Sequence, residues 1–69
     1  MTVQLHLNRR NGQLYLVRGH ERDGDQVFCV CEWVDVRGGV LLHTGHVQKL
    51  QPRVLEPRVY DIVIEIDAR

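Results

Sequence analysis

Apolar and polar residues alternate in the first part of the chain with the period of two that is typical of β-strands. Residues 2–8 place apolar side chains on one face and polar side chains on the other, which is the pattern of a half-buried strand. Residues 14–17 are a second apolar run, and Asn11-Gly12 lies between the two runs. Because both residues of an Asn-Gly pair accept positive φ angles, this part of the chain predicts a β-hairpin.

The longest β-prone segment is residues 26–34, which follow a polar loop at residues 21–25. Valine, phenylalanine, cysteine and tryptophan fill both of its faces, and Glu32 is the single charged residue within it. A strand with one face in water carries a polar residue at every second position. The segment is therefore predicted to be a central strand, or to bury one face against another chain.

Glycine and proline divide the rest of the chain. The glycines at residues 38–39 predict a tight turn. Residues 40–43 are predicted to form a fourth strand that ends before Gly45. The apolar spacing of residues 47–50 predicts a single 3-10 turn before Pro52.

Beyond Pro57 the alternation returns and continues to the last residues. From Tyr60 to Ile66 the even-numbered positions are all tyrosine or isoleucine, and acidic or valine residues take the odd-numbered positions. This pattern predicts one amphipathic strand that begins at residue 58 and ends within residues 67–69, with the even-numbered side chains on one face.

Five or six short strands, tight turns and one helical turn predict an all-β fold. The expected architecture is a small SH3-like barrel of five to six short strands with a one-turn 3-10 helix, in which residues 1–69 form a single domain. An open meander that dimerises is the alternative. The residues expected to be buried are the apolar ones on the inward faces of these strands: Leu5, Leu7, Leu14, Leu16, Trp33, Leu42, Ile62 and Ile64.

Charge and composition narrow the range of functions. Nine basic and nine acidic residues give a formal net charge of zero, which argues against a protein that binds polyanions through bulk charge. A hydrophobic content of 43% is typical of folded chains. No apolar run is long enough for a membrane span, and the first residues lack the pattern of a signal peptide. We therefore expect a cytoplasmic protein that does not contact a membrane.

The small size of the chain favours association. Ordering 69 residues costs on the order of 100 kcal/mol, and a core of this size barely offsets that cost. Burial of one face of residues 26–34 against a second copy would add stability, and pairing between strand edges is equally possible. A homo-oligomer, most simply a homodimer, is therefore expected. The sequence has no evident catalytic triad, phosphate-binding glycine loop or close carboxylate pair. We interpret the chain as a small non-enzymatic binding or assembly module that needs no cofactor and has an unknown protein partner.

Two cysteines and two histidines are the ligand types of a tetrahedral zinc site: Cys29, Cys31, His43 and His46. A turn at residues 38–39 sets His46 opposite Cys31 but His43 on the other face of the sheet, so the four converge only if Gly45 bends the strand. The preferred hypothesis is that both cysteines are reduced, buried and without a metal. A zinc-stabilised module is an alternative.

Basic residues gather in two parts of the chain despite the neutral total. Residues 1–20 contain three arginines and no acidic residue, and residues 36–58 are also basic on balance. Four of these residues are candidates for one basic patch: Arg9, Arg10, Arg53 and Arg58. A small barrel that binds nucleic acid is therefore a further alternative, with an affinity that falls steeply with salt. The scarcity of exposed aromatic residues for stacking weighs against it.

Two short stretches resemble known families. Cys31-Glu32-Trp33-Val34, with a glycine turn and residues 47–52 after it, resembles the small bacterial YodC-like proteins, although Val34 stands where that family has phenylalanine. Val47-Gln48 is similar to the start of the Val-Gln-Ile-Tyr segment with which type II dihydrofolate reductases bind cofactor and substrate, but Lys49-Leu50 departs from it. Both resemblances imply an SH3-like barrel, and neither changes the expectation of a non-enzymatic module.

Overall fold

Six strands and one 3-10 turn make up the residues that the structure describes. The computed structural model describes residues 1–67. The elements in chain order are β1 (Thr2–Asn8), β2 (Leu14–Asp23), β3 (Gln26–Arg37), β4 (Val40–Leu50), the 3-10 turn (Pro52–Val54), β5 (Leu55–Asp61) and β6 (Ile64–Asp67). The predicted all-β fold with one helical turn is confirmed.

All six strands belong to one sheet with the order β5-β1-β2-β3-β4-β6. Neighbouring strands are antiparallel except β4 and β6, which are parallel. β5 and β6 stand at opposite ends of this order, although only Ile62 and Val63 connect them. In a flat sheet of this size the end strands would be roughly 24 Å apart, whereas three Cα steps span at most about 11 Å. The sheet therefore curls until its two edges approach each other, which gives a small barrel-like shape.

The curled sheet encloses an apolar cluster, which we call the inner core. Leu5 of β1, Val34 of β3 and Leu41 of β4 pack together with Ile62, and each of them is at most 1% exposed. Since β2 and β3 separate β1 from β4 in the sheet, these side chains meet only because this face is concave.

A second apolar cluster lies on the outer face of the sheet. Tyr15, Cys29 and Cys31 are buried together, and Leu50 packs against them. Successive side chains of a strand point to opposite faces, so Cys31 points away from the inner core that Val34 enters. β3 is therefore a central strand, as predicted, and apolar clusters within the same chain bury part of each of its faces.

The predicted core is only partly right. Leu5 and Ile62 are fully buried, and four other predicted residues are half-buried: Leu7, Leu14, Leu16 and Leu42. Trp33 is 38% exposed, so its predicted burial is wrong. It occupies the outer face, where its ring contacts the His46 ring edge to face at a centroid distance of 6.3 Å.

The last predicted strand is divided into β5 and β6 by Ile62 and Val63. Ile62 points into the inner core, yet Ile64 is 51% exposed. If the alternation continued through residues 62–63, Ile64 would share the inner face with Ile62. Instead Glu65 pairs with Leu41 on the inner face, and Ile64 lies on the outer face. The predicted burial of Ile64 is therefore wrong. The last two residues of the predicted strand lie outside the described residues.

Strand β4 continues past Gly45, where the sequence predicts its end. Val34 pairs with His43, in agreement with the predicted turn, but Glu32 pairs with Val47. Residues 44–46 of β4 therefore stand opposite a single residue of β3, which is a bulge. Gly45 has a φ of 77°, a value that glycine adopts at little cost.

The 3-10 turn lies at Pro52–Val54 and not at residues 47–50, where the sequence predicts it. Residues 47–50 are extended and pair with β3. Proline is favoured at the first position of a helical turn, where its missing N–H is no loss. Pro52 therefore begins the turn instead of following it.

Two neighbouring leucines test the register of β4. Leu41 is fully buried in the inner core, whereas Leu42 is half-buried on the outer face. We expect Leu41→Ala to lower the free energy of unfolding by about 2–5 kcal/mol because it leaves a cavity. Leu42→Ala should lower it by roughly 1 kcal/mol, since less apolar surface is lost. Urea denaturation measures both changes, and equal losses would contradict this register.

Candidate functional site

A charged side chain lies within the apolar interior. Glu32 of β3 is 1% exposed and pairs in the sheet with Leu16 of β2. Its Oε1 accepts hydrogen bonds from Nε and Nη2 of Arg18, at 3.1 and 2.6 Å, and lies 3.1 Å from Nδ1 of His43. Its Oε2 accepts the backbone N–H of Gly45 at 3.0 Å. A carboxylate buried in an apolar interior is stable only when such donors replace water.

Two irregularities of the sheet bring these donors to Glu32. In β2, Arg18 is the residue at the register shift between Val17 and Gly19. In β4, the bulge at residues 44–46 presents a backbone N–H to the carboxylate. A regular ladder places one residue of each neighbouring strand directly opposite Glu32. The bulges add a guanidinium on one side and a main-chain donor on the other.

His43 extends this arrangement to the edge strand β6. Its Nδ1 faces Glu32, and its Nε2 lies 2.9 Å from Oε1 of Glu65. A neutral imidazole donates to only one carboxylate, whereas a protonated imidazole donates to both. The hydrogen bond to Glu65, with further support from Glu32, outweighs partial burial and raises the pKa of His43 above its ordinary value.

Opposing effects act on the carboxyl group of Glu32. Burial alone raises its pKa, but the hydrogen bonds from Arg18, His43 and the Gly45 N–H outweigh burial and hold the pKa below its usual value. Four side chains of alternating charge thus form a continuous series, which we call the ion network: Arg18, Glu32, His43 and Glu65. Its two end members are about half exposed and its middle members are buried or nearly so.

The ion network joins strands and leaves little capacity for chemistry. Both oxygens of Glu32 are occupied by donors, and both ring nitrogens of His43 face a carboxylate. No member is a nucleophile with a neighbouring free base. The arrangement is therefore a side-chain connection between β2, β3, β4 and β6.

The structure does not bring the four candidate zinc ligands together: Cys29, Cys31, His43 and His46. The two cysteines point to the outer face, whereas His43 is engaged by carboxylates on the inner side. Cys31 pairs with Gln48 and not with His46, because the bulge in β4 shifts the register. Within residues 1–67 no three histidine, cysteine, aspartate or glutamate side chains are grouped as ligands of one metal ion.

Both cysteines are free and buried, as the sequence predicts. The Sγ of Cys31 lies 3.5 Å from the carbonyl oxygen of Cys29. Burial, with a smaller effect of Cys29, raises the pKa of the Cys31 thiol to about 11. Cys31 is therefore a protonated thiol at neutral pH, which makes it a poor nucleophile and a poor metal ligand.

Three of the four residues of the predicted basic patch come together. Arg9, Arg10 and Arg53 line a cavity of about 330 Å³ beside the 3-10 turn. Nη2 of Arg9 donates to the carbonyl oxygen of Arg53 at 2.6 Å, which connects the β1–β2 loop to the turn. Arg58 does not join them, because it lies on β5 and pairs with Glu56.

The ion network does not follow from the hydrophobic pattern, although the sequence contains one signal for it. Glu32 is the only charge in an otherwise apolar central segment, and a buried charge requires partners. The identity of those partners depends on two bulges that the hydrophobic pattern does not show. The alternation of residues 60–66 also fails to predict the exposure of Ile64.

Comparisons with known proteins find no matching family model, no matching curated protein and no matching solved structure. The resemblances to YodC-like proteins and to type II dihydrofolate reductases therefore stay predictions. Among residues 1–67 there is no helix with the length and apolar character needed to span a bilayer.

Glu65→Gln tests the position of His43 between two carboxylates. We expect the pKa of His43, followed by NMR, to fall in this variant, because its strongest partner loses its charge.

The raised pKa of His43 also makes stability depend on pH. The folded state holds the His43 proton more tightly than the unfolded chain does. This stabilisation is complete below about pH 6.5 and is lost as the pH rises through the folded-state pKa. The free energy of unfolding should therefore decline above that pH, and decline less in Glu65→Gln. An unchanged His43 pKa in the variant would refute this assignment.

Proposed function

We propose that the protein is a small non-enzymatic binding module that works as a homodimer, joined through the open edge of β5. The observation that carries the proposal is that β5 combines an exposed valine near its centre with main-chain groups that have no strand partner within residues 1–67. β5 is the last strand on its side of the sheet order, and Val59 is 65% exposed.

Exposed apolar side chains concentrate on the edge strands and the residues beside them. Eight large hydrophobic residues are exposed among residues 1–67, and five of them belong to the edge strands, their connection or the adjacent N-terminus: Met1, Val59, Val63, Ile64 and Ile66. Such a concentration is typical of interaction sites. It supports an interface on this part of the molecule.

The hydrogen bonds of β1 show which main-chain groups of β5 are open. Met1 and Ile62 exchange both of their backbone hydrogen bonds, at 3.1 and 2.7 Å. In an antiparallel pair the residues with this geometry alternate, so every second residue before Ile62 directs its N–H and C=O to β1. Pro57, Val59 and Asp61 direct theirs to the open edge. Proline is tolerated there because it has no N–H to pair.

A two-fold axis at Val59 gives a self-complementary pairing of two β5 strands. Val59 then faces Val59 of the partner, and Arg58 faces Tyr60 of the partner, a contact that allows a cation–π interaction. Asp61 faces Pro57 of the partner. No like charges stand opposite each other, and two exposed valines become buried. Such a closed interface uses the same patch of both copies.

The other edge strand, β6, is less suitable for pairing with itself. It has only four residues. A register centred on Glu65 sets two glutamates opposite each other, and a register centred on Ile66 sets Glu65 opposite Asp67. Like charges directly opposite in a sheet are destabilising. We therefore assign the dimer contact to β5.

Two further properties support a cytoplasmic, non-enzymatic module. The free thiols of Cys29 and Cys31 fit a reducing compartment. The ionisable groups of the ion network pair with one another, so none of them is available as a general acid, a general base or a nucleophile.

Val59→Lys tests the dimer. It sets two like charges on the axis, and it leaves the monomer intact because the side chain is exposed. In sedimentation at about 50 µM, where a micromolar interface is mostly formed, the wild type should have twice the chain mass of 8.0 kDa. Val59→Lys should have the mass of one chain.

Val47→Lys is the matched control, since Val47 is also exposed but lies on β4. It should remain dimeric. A monomeric wild type, or dissociation by Val47→Lys but not by Val59→Lys, would rule out the β5 interface.

A further inference from the structure

The arginines of the chain fall into two groups. Within residues 1–67, three arginines form ion pairs with carboxylates: Arg18, Arg37 and Arg58. Four form none: Arg9, Arg10, Arg22 and Arg53. Three of these four line the same cavity beside the 3-10 turn. A chain with no net charge thus carries a local concentration of unpaired positive charge.

A second cavity adjoins the first, and Arg10 and Val54 line both. This second cavity, of about 350 Å³, is also lined by Phe28, Lys49 and Gln51. No acidic side chain lines either cavity. We call the two cavities together the arginine groove.

We propose that the arginine groove binds a short segment of single-stranded nucleic acid. A phosphodiester group occupies the cavity of Arg9, Arg10 and Arg53, and an adjacent base lies against the ring of Phe28. This inference goes beyond the proposed dimer and does not depend on it.

The side chains of the groove match the parts of a nucleotide. Guanidinium groups bind phosphate oxygens through two parallel hydrogen bonds. An aromatic ring stacks on any base, and a neighbouring cation strengthens the contact. The side-chain amide of Gln51, which has no hydrogen-bond partner within residues 1–67, can pair with a base edge. A free phosphate needs only the first cavity, so the second cavity favours a nucleotide.

Acidic residues limit the length of the site. Phe28 and Lys49 also line a third cavity, together with Glu21 and Asp23. Lys49 is already paired with Glu21, at 2.5 Å. Carboxylates on that side repel the next phosphate along the strand. The groove therefore holds a short segment, in agreement with the absence of a bulk positive charge.

Binding of a fluorescently labelled oligo-uridine, followed by anisotropy, tests the proposal. Saturable binding is expected at about 50 mM salt. Because the proposed site holds one phosphate, the logarithm of the association constant should fall with the logarithm of salt concentration with a slope of about −0.7. A duplex of the same length should bind more weakly, because its bases are not available to Phe28.

Three variants and one control locate the site. Arg10→Ala and Arg53→Ala should each weaken binding and make this salt slope less negative. Phe28→Leu should weaken binding at least about fivefold without changing the slope. Arg37→Ala removes the same charge from the distant β3–β4 turn and should bind like the wild type. Thermal unfolding of each variant verifies that it is folded.

Several results would overturn the proposal. They are no binding at low salt, an equal loss of affinity in Arg37→Ala and Arg10→Ala, and unchanged binding by folded Phe28→Leu. Displacement of the oligonucleotide by equimolar inorganic pyrophosphate would also overturn it, since the arginines alone would then account for recognition.

Discussion

The structure depends on the neutralisation of one buried carboxylate. Removing Glu32 from water costs several kcal/mol, and this cost is offset only because Arg18, His43 and a backbone N–H converge on its two oxygens. These donors come from β2 and β4, the two neighbours of β3 in the sheet. The Glu32 carboxylate therefore fixes the positions of β2, β3 and β4 relative to one another. Through Glu65, His43 extends the connection to β6.

The bulges in β2 and β4 follow from this constraint. Each adds local curvature to a strand, and the curvature helps to bring β5 and β6 close enough for a two-residue connection. The inner core fills the concave side, while Tyr15 and the cysteines form a smaller cluster on the other side. A chain of this size thereby builds a compact unit without a disulfide in the described residues.

The hydrophobic pattern was sufficient to predict the all-β class, the presence of one helical turn and the central position of β3, but not the end of β4 or the place of that turn. It failed where extra residues or a connection shift the register. The bulge opposite Trp33 moves His46 away from Cys31, and the connection at residues 62–63 exchanges the faces of Ile64 and Glu65. Periodicity assumes a continuous ladder, so it cannot reveal an insertion in that ladder. The cluster of Arg9, Arg10 and Arg53 was predicted from charge alone, but its separation from Arg58 depends on tertiary structure.

The β5 edge and the arginine groove are distinct surfaces of one molecule. The β5 edge offers apolar side chains and open main-chain groups to a second copy, and the arginine groove offers cations and an aromatic ring to an anionic ligand. A two-fold dimer presents two such grooves. Simultaneous use of both by one strand increases the overall affinity without any additional contact in either groove.

Urea denaturation of Glu32→Gln at pH 6, where His43 is predominantly charged in the folded state, is the most direct test of the central claim. The amide keeps the size of the side chain but removes its charge. Its NH₂ group is itself a donor, and it would face the donors of Arg18, His43 and Gly45 without an acceptor. The free energy of unfolding should fall by about 2–4 kcal/mol. Breaking a fully buried ion pair costs roughly 3–5 kcal/mol, and the loss here should be slightly smaller because Arg18 is partly exposed. A change of less than about 0.5 kcal/mol, the size of an ordinary surface substitution, would show that the fold does not depend on this carboxylate.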